Sequence, residues 1–188
     1  MTDATSVAVR RPTRADARRN FDALLAAARE AFAENGTGAS LEDIARRAGV
    51  GIATLYRNFP TRQELFESVY VEEIDQLGQA AEAVAALPPW EALTTWLERF
   101  VAYVATKRAI VEALNTDSEM FRSCRAAMYA AAEPLLARAQ EAGEVRTDAS
   151  LDDVLRLVSG LTSAGFVDAE QRDRVLRFAL DGLRGPSR

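Results

Sequence analysis

Between Ala15 and Leu183 apolar residues return every three or four positions, and no segment alternates apolar with polar. A half-buried strand needs a period of two, and an amphipathic helix needs one near 3.6. The chain is therefore expected to be all-α. A first helix is predicted from about Ala15 to Asn35, with Phe21, Leu24, Leu25, Ala28 and Phe32 on one face and Asn35-Gly36 ending it. Ser40, with Asp43 three residues on, opens a short second helix whose stripe is Leu41, Ile44, Ala45 and Ala48. Thr61-Arg62-Gln63-Glu64 is a capping box for a long helix reaching about Ala86, ahead of Pro88-Pro89. Leu93, Trp96, Leu97, Phe100, Val101 and Val104 form the next stripe. A short helix is expected near Arg108 to Leu114. Thr116-x-x-Glu119 should open another, kinked at Pro134, and Ser150-x-x-Asp153 and Asp168-x-x-Gln171 should open the last two. The expected count is about nine helices.

What such a bundle can do is narrowed by residues it lacks. There is no histidine, which removes the usual general base and the commonest metal ligand. The single cysteine, Cys124, excludes a disulfide within the chain and a Cys/His metal cluster. No catalytic residue, metal site or cofactor is assigned, and an enzyme is disfavoured. No run of 18 apolar residues suggests a membrane span, and the first 20 residues lack a secretory pattern. A cytoplasmic protein without membrane contact is expected.

Charge is unevenly distributed. The net charge is −5. Residues 1–65 hold ten Arg against eight Asp and Glu, a balance of +2, so the remaining 13 basic and 20 acidic residues carry −7. Five arginines (Arg10, Arg11, Arg14, Arg18 and Arg19) fall within ten positions. Residues 1–14 read as a basic arm, with Arg10, Arg11 and Arg14 available for DNA phosphates or a minor groove; the plainer alternative is a solvated terminus.

The segment Ser40–Asn58 has the steric grammar of a helix-turn-helix. Ala45 is small enough for a second helix to approach, Gly49 can take the positive φ of a tight turn, and Val50 and Leu55 fill the angle between the helices. Gly51–Asn58 would then present Ile52, Ala53, Thr54, Arg57 and Asn58 to a major groove, with Tyr56 along the sugar-phosphate backbone and Phe59 turned inward. The run Ile44-Ala45, Ala48-Gly49-Val50, Thr54-Leu55-Tyr56, Phe59, Thr61 and Leu65 resembles the DNA-binding domain of the tetracycline-repressor-like (TetR) family over about residues 15–70. Gly51, Asn58, Arg62 and Gly38 depart from that pattern, which leaves the operator sequence open. The resemblance implies a DNA-binding domain over 15–62, with Ser40, Arg46, Arg47, Gly51 and Arg62 joining the residues above at the DNA. It also implies a ligand-binding and dimerisation domain over 63–188.

For that second domain, Trp96, Phe100, Tyr103, Asn115, Phe121, Met128 and Tyr129 are candidates for a mostly apolar effector pocket, although each large side chain also suits an ordinary core. Glu72, Glu73 and Asp75 read as solvating the fourth helix. Val154, Leu157, Val158, Leu161, Leu176, Phe178 and Leu183 make the last two helices apolar over wide arcs, as an intersubunit four-helix bundle requires. The reading is a homodimeric regulator bound to a palindromic operator on double-stranded DNA, most simply a repressor released by a small hydrophobic effector. A constitutive or activating regulator without a ligand is the alternative, and a small helical enzyme is a third.

Overall fold

A computed structural model describes residues 11–185. It contains eight α-helices among the described residues: α1 Ala15–Asn35, α2 Leu41–Arg47, α3 Ile52–Asn58, α4 Arg62–Ala83, α5 Pro89–Ile110, α6 Glu119–Glu141, α7 Leu151–Thr162 and α8 Ala169–Asp181. The short helix expected near Arg108–Leu114 does not form. α5 runs on to Ile110 and tightens into a 3₁₀ turn, Val111–Ala113, because three residues are too few to repeat an i→i+4 bond. None of the described helices is long and apolar enough to cross a membrane.

The caps explain most of the boundaries. Ser40 accepts from the Asp43 N–H, Thr61 from the Glu64 N–H and Asp168 from the Gln171 N–H. Ser150 and Asp153 form a reciprocal box at the start of α7. At α6 the cap is Ser118 and not Thr116: the Ser118 hydroxyl accepts from the Phe121 N–H at 3.2 Å. Such a cap satisfies backbone donors with no partner in the first turn. α6 passes through Pro134 as one element.

The chain divides into two compact units, residues 1–75 with 106–124, and residues 76–105 with 125–188. α4, α5 and α6 each contribute one end to each unit.

In the first unit α1 packs on α2 and α2 on α3. Its core holds Phe21, Leu24, Ala28, Phe32, Ile44, Leu55, Phe59 and Leu65, all buried. Phe21 meets Phe59 at a ring distance of 4.9 Å, and Phe32 meets Phe66 at 4.5 Å, separations typical of favourable aromatic pairs. In the second unit Trp96 is fully buried, donates its indole N–H to the Leu77 carbonyl at 3.0 Å and stacks on Phe100, which in turn meets Tyr103. Its far end is closed by contacts distant in sequence. The Glu144 carboxylate accepts from the Trp90 N–H at the start of α5, Arg184 lies over the Trp90 ring, and Arg138 donates to the Ala85 and Leu87 carbonyls.

Candidate functional site

The reading head is built on Gly49. Its φ of +69° is a left-handed conformation open to glycine at little cost. The Gly49 N–H donates to the Arg46 carbonyl and the Val50 N–H to that of Ala45, which closes the turn between α2 and α3. α3 is then fastened through one buried side chain, Leu55, 1 % exposed. Phe59, just past its end, turns into the core. Seven residues held at one point leave the rest of the helix surface open. Gly51, Ile52, Ala53, Tyr56 and Arg57 are exposed, Tyr56 to 47 %. Arg57 donates to the Thr54 hydroxyl at 2.8 Å and has no carboxylate partner among the described residues. α3 therefore carries an outward face of one aromatic hydroxyl, one cation without a carboxylate partner among the described residues, Ile52 and small groups. Such a set suits phosphate contact and base-edge readout in a major groove.

The other sequence candidates fall differently. Asn58 is half-buried and donates its amide to the Thr54 carbonyl of its own helix at 2.7 Å. The Ser40 hydroxyl caps α2 and bonds Glu42. Arg46 pairs with Asp43. Arg47 forms a fork on both Glu34 oxygens, at 2.8 and 2.6 Å, and reaches Asp43 at 2.7 Å. The hydrogen bonds from Arg46 and Arg47 hold the Asp43 carboxyl below the usual carboxylate range, and Arg47 does the same to Glu34. Arg62 donates to the Thr37 and Ala39 carbonyls and lies over the Phe66 ring at 5.4 Å. Arg47 and Arg62 thus brace the head from within; their partners lie 13 and 23 to 25 residues away, beyond the reach of a periodicity argument.

Of the arm candidates, Arg10 lies outside the described residues. Arg14 is exposed, at the N-cap position of α1. Arg11 is engaged by Asp22 and Glu72. The expectation that Glu72, Glu73 and Asp75 merely solvate α4 needs correction. Glu73 is 7 % exposed and pairs with Arg29 at 3.6 Å. Burial, then the charge of Glu72, pushes the Asp75 carboxyl up. Burial likewise pushes the Cys124 thiol up to about 11, with Asp75 adding to it.

Of the effector-pocket candidates, Trp96, Phe100, Tyr103, Phe121 and Met128 are buried. Asn115 is exposed instead, because its side-chain oxygen accepts from the Asp117 N–H in the turn before α6. The Tyr129 hydroxyl donates to Asp152, which also receives Arg125 and Arg156, on the surface of the second unit. Within this unit the structure shows a groove of about 400 Å³ lined by Leu97 and Val101 of α5, Val158 of α7 and Arg172, Leu176 and Leu180 of α8, among others. None of the seven candidates lines it.

The candidates for a subunit interface divide as well. Val154, Val158 and Leu183 are buried within the protomer, so they belong to its own core and cannot be its outer surface. Leu183 is held where its carbonyl accepts from the Arg146 N–H. Leu157 and Phe178 are exposed, Phe178 to 67 %, and Leu161 and Leu176 are partly so. None of the thirteen residues of α8 is buried.

A helix-turn-helix with one open helix, in a chain whose described elements are all helical, defines a DNA-binding regulator. Residues 24–69 match the family profile described as bacterial regulatory proteins of the tetR family, and residues 88–185 match the C-terminal domain described as transcriptional regulator SbtR-like. The chain belongs to the TetR family of transcriptional regulators. It is similar to the TetR regulator SCO0520 of Streptomyces coelicolor, with 38 % identity and a TM-score of 0.78 over 89 % of this chain and 99 % of that one. It is also similar to a TetR transcription regulatory protein of Mycobacterium vanbaalenii, with 35 % identity and a TM-score of 0.73 over 92 % and 99 %. The transcriptional activator FasR of Mycolicibacterium smegmatis is 29 % identical over 134 residues, which cover 71 % of this chain and 58 % of FasR's length.

Proposed function

We propose that the protein acts in the cytoplasm as a homodimer that binds a palindromic operator through α3, and that a small, mostly hydrophobic effector in the second unit releases it. The observation that carries this reading is the outward face of α3: seven residues, one of them buried, with Tyr56 and Arg57 open to solvent. Two such helices related by a dyad reach successive major grooves when they lie about 34–36 Å apart. The dyad is supported by α7, α8 and the connection between them, where Leu157, Phe178 and Val167 respectively are large apolar side chains left exposed. Large exposed apolar patches mark association sites. The groove beside Leu97, Val101 and Leu176 supports the effector, since its volume falls in the range of about 300–1,000 Å³ usual for small-molecule sites. An effector there need shift the dimer equilibrium by only about 1–3 kcal/mol to act as a switch.

Selection of bound duplexes from random DNA supplies the operator and its symmetry. Tyr56→Ala and Arg57→Ala are then expected to weaken operator binding, by about 1–3 kcal/mol for a base-contacting side chain, with unchanged helical circular dichroism. Unaltered affinity in both variants would remove α3 as the reading element. Val101→Trp, which fills the groove, is expected to abolish effector response while sparing operator binding. A second reading is favoured by the name of FasR, a transcriptional activator: the bound dimer recruits polymerase where the first reading has it block the promoter. Transcription in vitro from the selected operator, with and without protein, separates the two signs.

A further inference from the structure

The arginines of the first unit are not equivalent, and their partners sort them. Arg11 bridges two helices: its Nη2 donates to Glu72 Oε2 at 2.5 Å on α4, and its Nε lies 3.3 Å from Asp22 Oδ1 on α1. Glu72 is largely covered, its side chain 17 % exposed. One turn on, Asp75 is part-buried and its carboxyl is already pushed up by burial and by Glu72, with Arg11 the cation that opposes this. Moving Arg11 onto a DNA phosphate would strip that cation from three neighbouring carboxylates, two of them partly desolvated. Arg14 and Arg18 stand in contrast. Both are exposed, four residues apart at the start of α1, and neither makes an ion pair among the described residues.

We propose that Arg11 is a positioning residue: it pins the chain entering α1 onto Glu72 of α4 and Asp22 of α1, and it stays there when the protein is on DNA. The basic run is thereby divided. Arg11 belongs to the fold, and Arg14 and Arg18 belong to the electrostatic footprint on DNA. The inference needs DNA binding alone, without an effector, a dimer or a known operator.

Counterion release supplies the test, because each phosphate neutralised adds about 0.9 to the slope of log K against log salt; all slopes are counted per bound protomer. The full chain is titrated with a duplex of random sequence across a fourfold salt range. Arg11→Gln is expected to leave the slope unchanged, whereas Arg14→Gln with Arg18→Gln lowers it by up to about 1.8. The double variant Asp22→Asn, Glu72→Gln frees Arg11 and steepens the slope by about 0.9, which over fourfold salt is a factor of about 3.5 in affinity. Adding Arg11→Gln to that double variant returns the slope to its starting value, which separates the freed guanidinium from a general loss of negative charge. Thermal unfolding of each variant confirms that the fold persists. A slope lowered by about 0.9 in Arg11→Gln alone, or a double variant whose slope does not move or does not depend on Arg11, overturns the assignment. A chain that binds no duplex at all would instead count against the proposed reading of α3.

Discussion

Helices α3 and α8 are the two least buried helices among the described residues, and they are open for opposite reasons. α3 buries Leu55 alone and α8 buries nothing. On α3 the open surface combines Ile52, small residues, Tyr56 and Arg57, which has no carboxylate partner among the described residues. On α8 it is dominated by Phe178, with Val175, Leu176 and Leu180 partly covered; Arg172 and Arg174 are tied to Asp173 and Glu170, and Arg177 and Asp181 complete a helix whose charges sum to zero. A surface whose cation lacks a carboxylate is suited to an anionic polymer. A surface whose three cations are matched by three carboxylates on the same helix and whose aromatic is bare is suited to another apolar surface. Exposure alone says that a helix has business elsewhere; the state of its charges says with what.

The widest effect is expected from Phe178→Glu, which places a charge on the bare face of α8. It should convert a dimer to a monomer in sedimentation and remove the avidity of two heads on one operator, about 10²–10⁴ in affinity. A variant that stays dimeric with normal affinity breaks the comparison at α8. Next comes Leu55→Ala, which removes the one side chain fastening α3. The loss should be about 2–5 kcal/mol in denaturant unfolding of the head. A loss well below that range would mean the turn, and not the side chain, holds the helix. Smallest is Gly49→Ala. No heavy atom would crowd the new methyl, so only the left-handed backbone is strained, by about 1–2 kcal/mol. A fall in melting temperature of a few degrees with operator specificity unaltered is the expected outcome.

The all-helical fold and most caps were readable in the sequence because both signals are local. Phe21, Leu24, Ala28 and Phe32 repeat within one helix, and Ser150 finds Asp153 three residues away. The same locality explains Gly49, whose φ follows from a turn of a few residues. Where the sequence misled, the deciding partner was remote. Arg47 reads as a phosphate contact until Glu34 is placed beside it, and Glu73 reads as solvated until Arg29 covers it. Val154 and Leu157 lie on one apolar arc, and periodicity cannot say which side of that arc the protomer itself consumes. Asn115 failed for another reason: a polar side chain before a helix has a local bond available, and it took it. The groove of the second unit drew on Arg172, Leu176 and Leu180 of α8, which no pattern of aromatic residues marks.

The single fastening of α3 also bears on how such a protein can diverge. Ile52, Ala53, Tyr56 and Arg57 are exposed and contribute nothing to the buried core. On the proposed reading of α3, exchanging them alters what the head reads without touching what holds it together. Surface substitutions of this kind usually shift stability by no more than about 0.5 kcal/mol. Sequence preference and folding are therefore nearly independent variables in this head, and duplicated copies could drift to new operators through intermediates that all fold.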